Sequence, residues 1–384
     1  MFLQIHTLTS YAASLLNRDD AGLAKRIPFG NAERMRVSSQ CQKKHWRDHL
    51  QHTLTLPGGI RSRLFFEREI LPRTVAAGMD ETQARKLIET LLKRLVQGGQ
   101  DDKNPLRLKQ PVLFGKPEAD YLVQLLAECN GGEVDPLKLL DERLKAEKGN
   151  LQAMWRAAGV NLVSGIEGAL FGRFVTSDIL ARTDAAVHVA HAFTVHPLAS
   201  EIDYFTVVDD LKEADEDAGA AHAGDMELGA GLFYGYVVVD VPLLISNLSG
   251  CDAGKWRQAA ADTLQDARAI LHHLILTIAT VSPGAKLGST APYARAELVL
   301  LETGIAQPRT LANAYLSALK PKGDPAQQAV DALGQHLAAL DDMYGQEEQR
   351  CVASTRDTTK LVGIPRAPLK DSVTCAFAAL FGAA

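Results

Sequence analysis

The stretch FLQIHTLTSYAASLLNRDDAGLAKRIPFGNAERMRVSSQCQKKHWR, Phe2–Arg47, changes its residue pattern three times. Phe2 to Thr9 is dense in apolar and β-branched residues and predicts a strand at the start of the core. A loop follows with Asn17, Arg18, Asp19 and Asp20, and Phe29-Gly30-Asn31 marks a turn. Met35-Arg36-Val37 predicts a short strand. Ser38 or Ser39 then suits the cap of a helix running to about His52, because a hydroxyl there can accept from a free helix N–H.

Outward from this stretch the chain alternates irregularly. Arg61 to about Lys148 reads as helical, over Leu64–Leu71, Glu81–Val96, Tyr121–Cys129 and Pro136–Lys148, interrupted by loops at Gly98–Pro105 and Gly115–Pro117. Val187–Val195 and Leu232–Val241 read as strands, and the long excursion between them begins with the β-like Ile202–Val208. Asp252–Ala279 reads as one helix, Glu297–Glu302 as the last strand of the core, and the chain from Pro308 as mostly helical. This order predicts an α+β sheet domain with two insertions.

The chain has 384 residues and a net charge of −5, so its overall balance gives no argument for nucleic-acid binding. The distribution does. From Arg18 to Arg47 eight cations (Arg18, Lys25, Arg26, Arg34, Arg36, Lys43, Lys44, Arg47) face only Asp19, Asp20 and Glu33. From Glu201 to Asp217 eight acids face Lys212 alone. Lys43 and Arg47 are spaced i, i+4, and Gln40 precedes Lys43 by three, so the three leave one face of the expected helix. The positive end of that helix suits a phosphate, and a loop carrying Arg18 and Lys25 would close the other side. By residue type alone, the segment reads equally as a phosphate cradle or as a solvated basic helix.

The five cysteines, Cys41, Cys129, Cys251, Cys351 and Cys375, lack a C-x-x-C pair, which argues against a zinc ribbon or a disulfide framework and suits a reducing compartment. The N-terminus lacks the pattern of a signal peptide. Ile270–Val281 is too short to span a bilayer, so a cytoplasmic location is expected. His188, His191 and His196 do not share strand parity and are not expected to converge on a metal. No cofactor is expected. Asp19 and Asp20 are the acidic pair nearest the cationic patch, where they would either hold Mg²⁺ near a phosphodiester or pair with Arg18 and its neighbours. Tyr204 and Phe205 stand either as stacking aromatics on an exposed ribbon or as residues buried in their own hairpin.

Several stretches resemble the CasC-type backbone subunit of type I-E CRISPR Cascade complexes. They are LNRDD (Leu16–Asp20), RVSSQ with a following lysine (Arg36–Gln40, Lys43), LFGRFVTSD (Leu170–Asp178), the run from Ala190 to Leu211, LFYGYVVVD (Leu232–Asp240) and SPGAK (Ser282–Lys286). The resemblance implies a hand-like fold: a modified RRM (ferredoxin-like) palm, helical fingers and a β-hairpin thumb. The expected segments are palm at 1–56, fingers at 57–160, palm at 161–195, thumb at 196–231, and palm with a C-terminal helical region at 232–384. It implies a non-catalytic, RNA-binding antiviral-defence protein that coats CRISPR guide RNA as a ribonucleoprotein filament. Its partners would be guide RNA, a target DNA strand paired to the guide, further copies of itself head-to-tail, and other Cascade subunits, with no membrane. Backbone contacts carry over to Arg18, Lys25, Ser38, Gln40, Lys43 and Arg47. Phe174 would pack against a kinked nucleotide. Tyr204, Phe205 and Val207 would belong to the thumb, as its tip or its anchor. The competing expectation is a metal-dependent ribonuclease using Asp19 or Asp20, because related type III backbone subunits cut RNA with an Asp after the first strand.

Overall fold

A computed structural model describes residues 1–96, 98–130, 134–146, 164–173, 183–207, 222–320 and 322–382. In chain order it opens with β1 (Phe2–Ser14), the hairpin β2 (Arg26–Phe29) and β3 (Ala32–Val37), and α1 (Ser39–Thr53). Then come β4 (Gly59–Ser62), α2 (Leu71–Ala76), α3 (Glu81–Leu95), β5 (Val112–Gly115), α4 (Lys116–Asn130), α5 (Pro136–Ala146) and α6 (Gly165–Phe171). Four strands follow: β6 (Val187–Val189), β7 (Ala192–Thr194), β8 (Ser200–Val207) and the long β9 (His222–Asp240). The rest comprises α7 (Val241–Ser249), α8 (Ala261–Thr280), α9 (Leu287–Thr290), β10 (Ala296–Gly304), α10 (Pro325–Tyr344), β11 (Gln349–Ser354) and α11 (Leu369–Phe381). Among the described residues no helix is long and apolar enough to cross a membrane.

The chain divides into two compact units. The first takes Met1–His52, Val189–Val239 and Ile270–Ala384. Its sheet runs in the order β11-β10-β1-β9-β7-β3-β2, with β8 paired to β9 off that path. β1 lies antiparallel to β10, from Phe2 opposite Gly304 to Leu8 opposite Leu298, and β10 lies antiparallel to β11. One face buries Leu8, Tyr234, Leu298, Leu300 and Val352 with Leu311, Tyr315 and the Ala329, Val330, Leu333 and Leu337 side of α10. A second cluster joins Leu15, Leu16 and Ala24 to Met35, Val37, Ala192 and Phe233, and so seats the loop after β1 on the end of the sheet.

A buried polar network ties the same sheet together. Glu302 on β10 accepts from His6 on β1 at 2.8 Å, from both terminal nitrogens of Arg309 at 2.9 and 3.0 Å, and from Arg350 Nε on β11 at 2.7 Å. Burial by itself would raise the Glu302 pKa; the bonds from His6 and Arg309 outweigh it and hold the carboxyl well below the usual range.

The second unit takes Thr53–His188 and Asp240–Ala269. It has its own core, in which Phe65, Phe66 and Phe114 stack among the leucines of α3, α4 and α5. α3 follows the expected helix to within a residue, with Asp80 capping the Gln83 N–H at 3.1 Å. The expected Leu64–Leu71 helix is instead a π-helical turn over Phe66–Ile70 running into α2. Pro72 has no N–H to donate, which explains why the regular ladder gives way there.

Three further expectations change. Asp252–Ala279 is not one helix: Asp252 caps the Gly254 N–H at 2.8 Å, a 3₁₀ turn spans Ala253–Gln258, and the α-helix begins only at Ala261. β10 is not the last strand, because β11 pairs with it from Leu298 opposite Ser354 to Thr303 opposite Gln349. Cys351 on β11 and Cys375 on α11 are joined as a disulfide, whereas Cys41, Cys129 and Cys251 are free. Strand and helix at the C-terminal end are brought together by packing that residue spacing does not encode.

Candidate nucleic-acid interface

The expected helix cap forms: the Cys41 N–H donates to Ser38 Oγ at 3.3 Å, and α1 starts at Ser39. Gln42, Trp46 and Leu50 turn one side of α1 into the core. Gln42 Nε2 also donates to the carbonyls of Val37 and Ala190, which fixes the helix on β3 and on the link between β6 and β7. At about 100° per residue, Gln40, Lys43 and Arg47 then fall within roughly 60° of arc on the remaining surface. Gln40 is exposed, and Lys43 and Arg47 are half-buried. Burial pushes the Lys43 ammonium pKa down.

Asn17 joins the preceding loop to this helix. The Ser38 N–H donates to Asn17 Oδ1 at 2.9 Å, and the Lys25 N–H donates to the Asn17 carbonyl at 2.9 Å. The Arg36 N–H donates to the Lys25 carbonyl at 2.8 Å, and Arg18 forms an antiparallel bridge with Ala24. Arg18 and Lys25 are therefore held, through backbone, beside the N-terminal turn of α1. The structure thus sets Arg18 and Lys25 beside Ser38 at the start of α1, and Gln40, Lys43 and Arg47 follow along one face of that helix.

The other cations of the segment are committed elsewhere. Arg34 is fully buried: Nη1 donates to the Thr194 carbonyl and Nη2 to the Tyr315 carbonyl, both at 2.8 Å. Arg26 pairs with Glu227, Lys44 pairs with Asp48, and Arg36 donates to the Arg26 carbonyl at 3.1 Å. Arg36 Nη1 also lies 2.9 Å from His191 Nδ1. Burial, then Arg36 and Lys25, lower the His191 pKa, which suits a neutral ring accepting from the guanidinium. Arg47 lies 3.7 Å from Asp48. The turn of the β2–β3 hairpin is tied down as well. The Ala318 N–H donates to Asn31 Oδ1 at 2.8 Å, and Gly30, at φ +60°, leaves no room for a Cβ beside the Leu316 carbonyl.

Asp19 is occupied in its own turn, where Oδ1 accepts from the N–H groups of Ala21 at 2.9 Å and Leu23 at 3.0 Å. Asp20 is exposed.

β8 and β9 form a two-stranded ribbon, antiparallel from Ser200 opposite Gly229 to Val207 opposite His222. Tyr204 is 68% exposed opposite Asp225, on the same ribbon face as Ile202. Phe205, on the other face, lies opposite Gly224, whose missing Cβ would sit 2.6 Å from Phe205 Cζ. The Lys286 ammonium stands 5.7 Å from the Phe205 ring centroid. Val207 closes the described part of the first arm. Phe174 lies outside the described residues.

Glu227 and Lys286 escaped the sequence reading. Glu227 is 2% exposed on β9 and accepts from the Ala24 N–H and from Ser200 Oγ, each at 2.7 Å, besides its pair with Arg26. Its donors Ala24 and Ser200 lie 203 and 27 residues away in the chain, so no local pattern marks it. Lys286, in the SPGAK motif, has as its neighbourhood signal only that motif; the Ala285 N–H bonds to the Leu15 carbonyl at 2.9 Å and brings the motif alongside the loop after β1.

The sequence pattern of CT1975-like proteins matches residues 3–378. One similar solved structure is a chain of a CRISPR RNA-guided surveillance complex in a pre-nicking state, 26% identical, with a TM-score of 0.79, covering 98% of this chain and 100% of that one. A chain of another CRISPR RNA-guided surveillance complex is 21% identical with a TM-score of 0.62, covers 99% of this chain and 100% of that one, and bears on the fold alone. No curated protein sequence matches significantly.

Proposed function

From the premise that the chain belongs to the CT1975-like protein family, we propose that it is a non-catalytic, guide-RNA-coating backbone subunit of a CRISPR RNA-guided surveillance complex, of the type I-E CasC kind. In this reading the first unit is a palm of modified RRM type, the helices of the second are fingers, and the β8–β9 ribbon is the thumb. Copies stack head-to-tail along the guide, and each thumb displaces one nucleotide at regular intervals as the guide pairs with a strand of invading DNA.

The observation that carries this is the union of loop and helix by Asn17, which sets Arg18 and Lys25 beside Ser38 at the start of the helix whose one face carries Gln40, Lys43 and Arg47. Cations and hydrogen-bond donors on a capped helix end contact phosphate and sugar without reading bases. Such contacts suit a protein that must hold any guide sequence. Sequence specificity then comes from base pairing, so only one face needs to be cationic and the overall charge of −5 is no obstacle.

The test is co-expression with the partner subunits and a guide precursor, followed by extraction of the bound nucleic acid. A discrete small RNA is expected, and a complex free of RNA would defeat the reading. Incubating that complex with complementary RNA and Mg²⁺ is expected to leave the RNA intact. Cleavage at regular intervals, lost in Asp19→Ala or Asp20→Ala, would establish the ribonuclease instead.

A further inference from the structure

Building on the reading of the Arg18–Lys25 loop and α1 as the guide-RNA grip, we propose that Glu227 is a positioning residue that couples this grip to the β8–β9 ribbon. One carboxylate serves three pieces of chain. It is carried on the second arm of the ribbon, it accepts from Ser200 Oγ on the first arm, and it accepts from the Ala24 N–H in the loop. Its charge is matched by Arg26, the first residue of β2. Ala24 precedes Lys25 and bridges Arg18, so the residue the carboxylate holds is one peptide from Lys25 and one β-bridge from Arg18.

The surroundings make the link stiff. Glu227 is shielded from water, and a buried carboxylate that loses a donor is not compensated by solvent. The ribbon's base is also close-packed, because a Cβ on Gly229 would sit 1.9 Å from Met35 Cε on β3. Beyond this base the first arm is exposed from Glu201 to Thr206. A tilt of the ribbon therefore pivots about Glu227 and pulls on Ala24. Conversely, RNA that fixes Arg18 and Lys25 fixes the ribbon's base.

The experiment uses the full chain with a single-stranded RNA oligonucleotide and follows amide hydrogen exchange of Ser200–Val207 with and without RNA. Wild type is expected to show severalfold slower ribbon exchange when RNA is bound. Glu227→Gln keeps an acceptor for Ala24 but loses the charge paired with Arg26; it is expected to bind RNA while most of the RNA-dependent protection disappears. Ser200→Ala removes one bond, keeps the Ala24 and Arg26 contacts, and is expected to lose part of the protection; it decides the matter where Glu227→Gln fails to fold. Undiminished RNA-dependent protection in the variants would overturn the coupling. Wild type that binds RNA with unaltered ribbon exchange would overturn it too, and leave the RNA grip standing. Wild type that binds no RNA would remove the grip and the coupling together.

Discussion

Arg34 donates through Nη2 to the carbonyl of Tyr315, 281 residues further along the chain, at 2.8 Å. Its other terminal nitrogen holds Thr194 on β7, so a single guanidinium fastens β3 to a neighbouring strand and to the turn after β10. Burial lowers its pKa from the ordinary arginine value, and both terminal nitrogens donate hydrogen bonds to backbone carbonyls. In a segment rich in cations, this one belongs to the architecture.

Arg34→Leu should accordingly lower stability and leave the electrostatics of RNA binding alone. Two buried carbonyls lose their donor, at about 1–3 kcal/mol each. Urea unfolding of the isolated chain should register that loss, while the slope of log K against log salt for RNA stays at its wild-type value. A reduced slope in the folded variant would place Arg34 among the phosphate contacts.

The double variant Lys43→Ala, Arg47→Ala should behave in the opposite way. Each removed phosphate contact lowers the magnitude of the salt slope by about 0.7–0.9, so the pair lowers it by up to about two. Any fall in its unfolding midpoint should be small beside that of Arg34→Leu, because these two side chains are half-buried and Arg34 is fully buried. An unchanged slope would count against the assignment of these two residues.

The Glu302 network predicts the shape of the acid limb of stability. A carboxyl held below its unfolded pKa contributes stability that is complete above about pH 5 and is lost as the pH falls through the folded value. Glu302→Gln leaves Arg309 and Arg350 short of a carboxylate and should cost about 3–5 kcal/mol at neutral pH. Below about pH 5 the difference from wild type should shrink, since wild type then loses what the variant already lacks. Urea midpoints measured for both proteins across this range check it; parallel curves would refute the role given to Glu302.

The two ribbon aromatics should separate. Tyr204→Ala removes a side chain that is 68% exposed and should leave the melting temperature unchanged. Phe205→Ala uncovers Gly224 and removes the ring beside Lys286, and should loosen the ribbon itself. Hydrogen exchange of the rungs from Ser200 to Val207 reads this difference directly. If guide–target pairing is hindered in Tyr204→Ala with ribbon exchange unaltered, Tyr204 is a nucleic-acid contact and Phe205 its anchor.

Local grammar made much of this legible in the sequence. The Phe29-Gly30-Asn31 turn, the Ser38 cap and the common face of Gln40, Lys43 and Arg47 all follow from residues within one or two turns of each other. The failures share a different cause. Arg34 and Arg36 stand two residues apart in one strand, share its parity and look alike in sequence; only the distant Tyr315 and Thr194 carbonyls make the first internal. Glu227 sits 203 residues from Ala24, and β11 is a strand because β10 offers it an edge. Cys351 and Cys375 meet for the same reason. Contacts of this range are decided by the packed sheet and leave little trace in a local pattern.

The ribbon carries a rule about its own length. Exposed on its first arm from Glu201 to Thr206, it has little interior to preserve, and residues can be added or removed there at small packing cost. Yet Glu227 must keep facing Ala24 while Tyr204 keeps its side, and successive residues alternate sides. Lengthening or shortening is therefore tolerated only in pairs on each arm, each pair moving the far end by roughly 7 Å. The ribbon is thus a gauge graduated in double residues, and its reach can be reset in evolution or by design without disturbing the loop it is anchored to.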